Sequence, residues 1–468
     1  MNKTFIRALL LSGVVASLSG CSYFEINKLE DPNFPTLASV SSNATKQQMD
    51  FLASGTFSDM RTNGDGIVWY HQLTGIIGRE VYVLANSDGR YVTNPLGTAP
   101  FDNNNFLSGR YFTTYSSARR TARILVASAN NTSSITEEQK NGYIGLGKTA
   151  EAYAMLVLSD LQYENGLRVE VTNEQKPGKI QPYPVVLAAI KTLLSDGDAA
   201  LAKAGTTLAF PVPSGFAAGT AGASFNTVAG FRQYNRALAA RLAIRSNNYA
   251  DALAAITAAG SFFSNDALPV TAGPRFNYSA TAGDAVNPLF QAPNAALSVT
   301  TVAHPTFRTD IRTGDTRINK IAARTTRLSR QGLSSNDDVV LYPTQTSPIP
   351  VIKREELLLI AAEANANTSN LPLAITQINK VGTAYGLPAY TGPITVAAVM
   401  EEILYQRRYS LFFEGQRWVD LRRLNKLDKL NVPGTSLPEK LSTGQQTIVL
   451  KQLPIPFQEI AWDQANPQ

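Results

Sequence analysis

Residues 401–424, EEILYQRRYSLFFEGQRWVDLRRL, carry the densest pattern of the chain. Leu404, Leu411 and Trp418 recur at steps of seven, and two further leucines continue the same stripe at steps of three. Apolar residues at these steps fall on one face of a helix. The stretch therefore predicts a helix that buries one bulky, apolar face.

The charged residues of this stretch follow a helical spacing as well. Glu414 and Arg417, Arg417 and Asp420, and Asp420 and Arg423 are each three residues apart, so we expect ion pairs along the helix surface. A glycine inside a helix costs about 1 kcal/mol relative to alanine, so Gly415 predicts a bend or a close backbone contact. A glycosidase-type carboxylate pair is the alternative, but the neighbouring arginines favour ionised, paired carboxylates. We interpret the stretch as structural.

The N-terminus has the pattern of a secretory signal over residues 1–20. Lys3 and Arg7 precede the apolar residues 8–18, a run too short for the roughly 20 residues that span a bilayer. The sequence LSGC that ends at Cys21 resembles the lipobox of bacterial lipoproteins. Cleavage before Cys21 would leave this residue, the single cysteine of the chain, to carry a palmitate-type lipid on its sulfur and amine.

Composition bounds the remaining organisation. The formal charge is +6 and falls to +4 when the signal is removed, and no basic run is longer than two residues. Such a chain lacks the basic stripe of a nucleic-acid-binding protein. Residues 21–39 are polar, contain two prolines and predict a tether. Residues 40–468 lack a clear linker and predict a single domain.

Helical periodicity dominates most of that domain. Many of the helices have alanine-rich faces, which let neighbouring helices approach closely. Serial antiparallel pairs of this kind predict a mainly α, tetratricopeptide-like scaffold of helical pairs, although no strict 34-residue period is present. Besides the final block, we expect helices over about 43–60, 111–129, 136–161, 184–203, 227–245 and 248–259.

Residues 142–149 match a nucleotide-binding motif in sequence, but the residues around them do not predict the structure that this motif requires. Residues 142–149, GYIGLGKT, match a phosphate-binding P-loop, which requires a buried strand before it. Here the preceding residues are polar, and Thr136 with Gln139 forms a capping box that begins a helix upstream. We therefore predict that these glycines face a neighbouring helix.

Two long helix-poor excursions interrupt the scaffold, at about 61–111 and 261–350. Both combine glycines with aromatic residues, and a short strand is expected at 338–342. Connections of this length are usually functional or disordered, and the aromatic content argues against disorder.

Several segments resemble the SusD/RagB family of nutrient-binding lipoproteins. The most specific are residues 407–423, RRYSLFFEGQRWVDLRR, and the closing motif LPIP at 453–456. Residues 352–364 and the turn RTGDTR at 312–317, for which structural pairing is expected, are similar to family segments as well. Together with the lipobox-like sequence, the resemblance covers nearly all of the chain after Cys21.

The resemblance implies a SusD-like fold and a non-enzymatic function. It implies a lipid-anchored protein on the outer membrane, facing the cell exterior, that captures oligosaccharides and delivers them to a SusC-like TonB-dependent transporter. A peptide-binding member of the family is one alternative, and a surface glycoside hydrolase is an alternative of another class. A third is a purely structural helical scaffold of an envelope complex, which would bind no small ligand.

Aromatic rings stack on sugar faces while amide, carboxylate and guanidinium groups fix hydroxyls, so the two excursions supply the ligand-binding candidates. They are Trp69, Tyr70, Tyr82, Asn86, Asp88, Arg90, Tyr91, Phe276, Tyr278, Phe307 and Arg308.

Catalytic and metal chemistry have no positive signal. The chain has two histidines, His71 and His304, which we expect to be loop residues with ordinary hydrogen bonds. No His/Cys cluster with metal-ligand spacing can be assembled, and residues 102–105, DNNN, are better explained by turn chemistry than by a calcium loop. We expect no metal and no cofactor.

Overall fold

The structure is a computed structural model that describes residues 42–61, 65–217, 223–432 and 439–466. The predicted signal, the lipid-bearing Cys21 and the tether lie outside these residues and stay predictions.

Helices form most of the fold, in two blocks separated by a region richer in strands. The first block contains α1 Lys46–Arg61, α2 Asp65–Ile77, α3 Phe106–Asn131, α4 Glu137–Gln162, α5 Tyr183–Leu201, α6 Val228–Arg245 and α7 Tyr249–Ala258. The second block contains α8 Arg354–Asn367, α9 Leu371–Ala384, α10 Val396–Ser410, α11 Arg417–Arg423 and α12 Phe457–Ala465. Shorter helices are Arg90–Thr93, Tyr163–Asn165, Ser214–Ala217, Ser261–Ser264, Thr306–Asp310, Thr316–Lys320 and Leu427–Leu430.

Successive helices pack in pairs. The pairs α3–α4, α4–α5, α6–α7 and α8–α9 make the most extensive helix contacts, which confirms the tetratricopeptide-like scaffold. The six helices predicted outside the final block agree with the observed ones to within a few residues, except that α3 begins five residues earlier than expected. None of the helices described is both long and apolar enough to cross a bilayer.

The start of α4 confirms the prediction that residues 142–149, which match a P-loop in sequence, lie inside a helix. The Gln139 amide donates to the Thr136 hydroxyl at 3.2 Å, and the Thr136 amide donates to the Gln139 side chain at 3.0 Å. Gly145 lies inside the helix, where an added Cβ would overlap Leu201 of α5. Glycine is therefore required here for close helix packing, as predicted.

A four-stranded antiparallel sheet connects the two helical blocks. Its strands are β1 Val81–Ala85, β2 Val299–Ala303, β3 Ile321–Arg330 and β4 Leu333–Val339, in the order β1-β2-β4-β3. Two-residue strands also pair Leu167–Arg168 with Ile180–Gln181, and Arg275–Phe276 with Ile349–Pro350.

Both excursions are more regular than the sequence predicts. The first contains α2 and β1, and the second contains three of the four strands. Nearly all described side chains of α2 are buried, so the helix shows no alternation of apolar and polar faces by which to recognise it. The strand expected at 338–342 lies earlier, at Leu333–Val339, because β3 and β4 form a tight hairpin whose turn holds Gln331 and Gly332 at φ of 52° and 76°.

The stretch 401–424 forms two helices rather than one. The helix α10 ends at Ser410 and α11 begins at Arg417, and between them Phe413 and Gly415 have φ values of 59° and 79°. A Cβ on Gly415 would overlap the ring of Tyr70. The close backbone contact predicted at this glycine is confirmed, and the continuous helix is wrong.

The break changes the expected ion pairs. Of the three, only Asp420 with Arg423 forms, at 2.9 Å. Glu414 pairs instead with Lys353 at 2.6 Å, and the Arg417 Nε donates to the carbonyl oxygen of Gly78 at 2.8 Å. The turn between α10 and α11 turns these two side chains toward other parts of the chain, so the predicted Glu414–Arg417 and Arg417–Asp420 pairs are wrong.

A buried network of ion pairs joins the helical blocks. Asp420 accepts from Arg407 at 2.6 Å, Arg245 donates to Asp160 at 2.8 Å, and Arg423 donates to Glu363 at 2.6 Å. Two further buried pairs are Arg241–Glu356 and Arg317–Asp315, both at 2.6 Å. The structural role predicted for the charges of 401–424, and for pairing within the turn at 312–317, is confirmed for these residues.

Candidate ligand-binding surface

Three aromatic rings meet at one edge of the first helical block. Trp69 of α2 lies with its ring centroid 5.5 Å from Tyr91 and 5.9 Å from Phe106, and the latter two are 5.4 Å apart. Trp69 is 6% exposed and lies beneath, whereas Tyr91 and Phe106 are half-buried. The cluster therefore presents parts of two rings to solvent on a rigid base.

Two arginines lie against the rings. The guanidinium of Arg90 is 5.0 Å from the Phe106 centroid, and that of Arg110 is 5.6 Å from Phe106 and 5.7 Å from Trp69. Asp88 holds Arg90 in place by accepting from its Nε at 3.1 Å and its Nη2 at 2.7 Å. The same hydrogen bonds lower the pKa of Asp88, so it stays ionised.

A shallow cavity of about 350 Å³ lies beside Phe106. It is formed where the start of α3 meets the start of α12, and its polar lining is Asn103, Asn104, Asn105, Arg110, Thr113, Thr114 and Gln458. Asn105 caps α3 by accepting from the Leu107 amide at 2.9 Å, and Asp102 accepts from the Asn104 amide at 2.9 Å. Residues 102–105 are thus a turn and a helix cap, as the sequence predicts.

The tip of the β3–β4 hairpin contacts the segment 86–89, which precedes Tyr91. Arg330 donates to the carbonyl oxygen of Asn86 at 3.3 Å, and the side-chain amide of Asn86 donates to the carbonyl oxygen of Leu297. Gly89 lies so close to Gln331 that a Cβ would overlap its amide. We call the whole region the aromatic–amide surface, defined by Asn86, Asp88, Arg90, Tyr91, Asn103, Asn104, Phe106, Arg110 and Gln458.

Five of the predicted ligand-binding residues lie on this surface or directly beneath it. They are Trp69, Asn86, Asp88, Arg90 and Tyr91, all from the first excursion. The predicted candidates did not include Phe106, Arg110, Asn103 and Asn104. An aromatic residue with an arginine four positions later, directly after an Asn-rich cap, is the signal that could have found them; nothing in the sequence signals Gln458.

The other predicted aromatic residues are buried. Tyr70, Tyr82, Phe276, Tyr278 and Phe307 are each at most 6% exposed. Their rings pack against protein, for example Phe307 against Phe412 with centroids 4.3 Å apart. In this structure they offer no ring face to a ligand.

Ion pairs and hydrogen bonds hold several of these residues. The Tyr70 hydroxyl donates to Asp160 at 3.4 Å, and the Tyr82 hydroxyl donates to Glu439. Arg308 is exposed, and its Nε donates to Asp337 at 2.9 Å. The roles of these residues in ligand binding stay predictions.

Both histidines have structural surroundings. His71 lies in α2 rather than in a loop, with its Nδ1 2.8 Å from the Ile67 carbonyl oxygen, and burial lowers its pKa to about 4. The Nδ1 of His304 lies 2.8 Å from the Thr306 hydroxyl, and burial lowers its pKa as well. Within the described part of the chain, no group of three or more His, Cys, Asp or Glu residues is arranged to hold a metal ion.

Comparison with known proteins identifies relatives by sequence and by fold. Residues 280–461 match the model of the SusD family. No curated protein sequence matches the chain.

Solved structures share the fold at low sequence identity. Surface glycan-binding protein A from Bacteroides thetaiotaomicron is 13% identical with a TM-score of 0.69, and the match covers 91% of this chain and 98% of that one. A SusD superfamily protein from Bacteroides fragilis is 17% identical with a TM-score of 0.66, covering 90% and 98%. A laminarin-binding SusD-like protein is 16% identical with a TM-score of 0.60, covering 89% and 97%.

Proposed function

We propose that this protein is a SusD-like cell-surface protein that binds carbohydrate, because residues 280–461 match the model of the SusD family. The glycan-binding and laminarin-binding names of two structural relatives support this function. We propose the aromatic–amide surface as the binding site.

The observation that carries the proposal is the arrangement of Tyr91 and Phe106 beside the amides of the adjoining cavity. A sugar ring has apolar C–H faces that pack on aromatic rings, and hydroxyls that both donate and accept hydrogen bonds. Asn103, Asn104 and Gln458 can do both, and Arg90 can donate. Trp69 supports the two rings from below, so little conformational freedom is lost on binding.

We further propose that Cys21 anchors the protein to the outer membrane and that it passes its ligand to a TonB-dependent transporter. The lipobox-like sequence and the family support this role. Replacing Cys21 with alanine is expected to move the protein from the membrane fraction to the soluble fraction. Co-purification with a large transporter, lost on deletion of the transporter gene, tests the partner. Full retention of the variant in the membrane would refute the anchor.

Isothermal titration of the protein lacking residues 1–21 against a panel of neutral oligosaccharides tests the binding site. Tyr91→Ala and Phe106→Ala are each expected to weaken binding by about fivefold or more, as truncation of a contact residue in a binding site does. The matched control is Phe51→Ala, since Phe51 is 66% exposed on α1, away from the proposed site.

Three outcomes would contradict the proposal. Unchanged affinity in both variants would remove the aromatic–amide surface from the site. Binding of peptides but of no glycan would make the protein a peptide binder. Release of reducing sugar by the purified protein would make it a hydrolase.

A further inference from the structure

A second and larger cavity is lined by residues from the second helical block and from the segments around the sheet. It has a volume of about 770 Å³ and lies against α10, α11 and the short helix Thr306–Asp310. Its charged lining includes Arg79, Asp310, Arg407, Arg408, Arg417 and Glu439. A volume of this size lies in the range of small-ligand sites.

Four of the five acidic side chains that line this cavity are already paired. Asp310 accepts from Arg408 at 2.8 Å, and Asp420 accepts from Arg407 at 2.6 Å. Glu439 lies 3.3 Å from Arg79 and also accepts from Tyr82, and Glu401 pairs with Lys429 at 2.8 Å.

Arg417 is different from the other arginines of the cavity. Its Nε donates to the Gly78 carbonyl oxygen at 2.8 Å, which fixes the plane of the guanidinium. Its Nη1 and Nη2 donate to none of the residues that the structure describes, and none of their carboxylates lies within 4.0 Å. Burial and the neighbouring charge of Arg408 lower the pKa of Arg417 to about 9. An anion bound at the two Nη atoms would offset both the burial of the guanidinium and its repulsion by Arg408.

Glu80 is the carboxyl that acts on Arg417 most strongly, but it faces elsewhere. Its Oε1 accepts from the Phe413 amide at 3.3 Å, and its Oε2 has no hydrogen-bond partner in the described parts of the chain. Burial raises the pKa of Glu80 to about 8, so it is largely protonated at neutral pH. Among the residues that the structure describes, the charge of Arg417 is therefore left without a full counter-charge.

We propose that Arg417 forms a carboxylate-binding subsite that takes the acid group of a uronic acid residue in the bound glycan. This inference rests on the proposed carbohydrate binding and names the ligand class. A guanidinium fixed at Nε presents Nη1 and Nη2 as a planar fork, which matches the two oxygens of a carboxylate.

The surroundings favour a uronic acid over other anions. Asp310 and Glu439 lie in the same cavity and would repel a phosphate dianion more than a singly charged carboxylate. Their oxygens can accept hydrogen bonds from sugar hydroxyls, which are donors that a simple anion lacks. Leu404 and Leu421 also line the cavity and provide apolar contact for a sugar ring.

Titration of the wild-type protein with three matched sugars tests the charge directly. We expect glucuronate to bind roughly tenfold or more tightly than glucose or the uncharged methyl ester of glucuronate, because a hydrogen bond to a charged group contributes more than one between neutral groups. Added salt is expected to weaken glucuronate binding alone. Glucuronate binding no tighter than that of its ester would overturn the proposal, and this result needs no variant.

Two variants test the residue. Arg417→Lys keeps the charge but loses the fork, and Arg417→Gln loses both. We expect each to weaken glucuronate binding by roughly tenfold or more, with glucose unaffected. The control is Arg232→Gln on α6, which breaks a partly exposed pair with Asp198 of α5.

The outcomes separate this inference from the carbohydrate-binding proposal. Folded Arg417 variants that bind glucuronate like the wild type would overturn the subsite. Equal binding of N-acetylalanine would overturn the uronic acid and assign the subsite to a peptide carboxylate. Neutral oligosaccharides that still depend on Tyr91 would leave the carbohydrate-binding proposal standing in either case.

Discussion

Replacing Asp420 with asparagine tests whether the family-like stretch is held by buried charge pairing. Asp420 is 1% exposed and lies 2.6 Å from Arg407, 2.9 Å from Arg423 and 3.8 Å from Arg245. In Asp420→Asn, Arg423 keeps Glu363 and Arg245 keeps Asp160. Arg407 loses its carboxylate partner and becomes a buried, uncompensated charge.

Leaving one partner of a buried pair without the other costs about 3–5 kcal/mol. Whole domains are stable by only about 5–15 kcal/mol, so this one change removes a large part of the free energy of unfolding. Burial alone would raise the pKa of Asp420, but Arg407, Arg423 and Arg245 outweigh it and hold the pKa below its ordinary value. The stabilisation is therefore present at neutral pH and is lost as the pH falls through the pKa of the folded state.

Urea denaturation at pH 7, followed by tryptophan fluorescence, measures the difference. The control is Glu401→Gln, since Glu401 is 47% exposed and pairs with Lys426 and Lys429 on the surface. An exposed pair contributes about 0–1 kcal/mol, so the control is expected to remain close to the wild type. A loss of less than about 1 kcal/mol in Asp420→Asn would refute the argument that the network needs every charge.

Three further substitutions test two backbone glycines and the buried Glu80. Gly415→Ala is expected to lower the free energy of unfolding by about 1–3 kcal/mol in the same denaturation, because φ is 79° and the new Cβ overlaps Tyr70. Gly109→Ala in α3 is expected to raise the free energy of unfolding by about 0.5–1 kcal/mol, because the new Cβ meets no described atom outside its own helix within 4 Å. Burial raises the pKa of Glu80 to about 8, so the stability contributed by its protonated form is present below about pH 4.5 and is lost as the pH rises through 8. Glu80→Gln should therefore flatten the fall in melting temperature between pH 5 and 8, and a variant curve parallel to the wild type would contradict this pKa.

The sequence predicted the helical scaffold because amphipathic periodicity is a local property. The helices α4, α6 and α7 were located to within a residue or two, and α4 through its capping box as well. The helix α2 and strand β1 were missed because burial on all sides removes the alternation that marks an element. The break between α10 and α11 was only partly predicted, since a glycine marks a bend but does not say how far the chain turns.

The candidate site was harder to predict for a different reason. Aromatic content alone does not distinguish a ring that faces a ligand from one that fills the core, and most large aromatic side chains are buried. Tyr91 and Phe276 both lie in helix-poor, glycine-containing stretches of the sequence, yet Tyr91 is half-buried at the surface and Phe276 is 1% exposed. Arg417 was assigned to a salt bridge by its spacing, and only the turn at Gly415 shows that it faces a cavity.

The contacts between β1 and the last quarter of the chain also constrain how the protein folds. Tyr82 donates to Glu439 across 357 residues, and Arg417 reaches the carbonyl oxygen of Gly78 across 339. The chain must lose the entropy of closing loops of this length before these contacts can form and stabilise the fold, so folding is slow. The segment of α2 and β1 therefore cannot complete its core until residues beyond 417 are available, and we expect a chain truncated before α11 to leave β1 and α2 without their native partners.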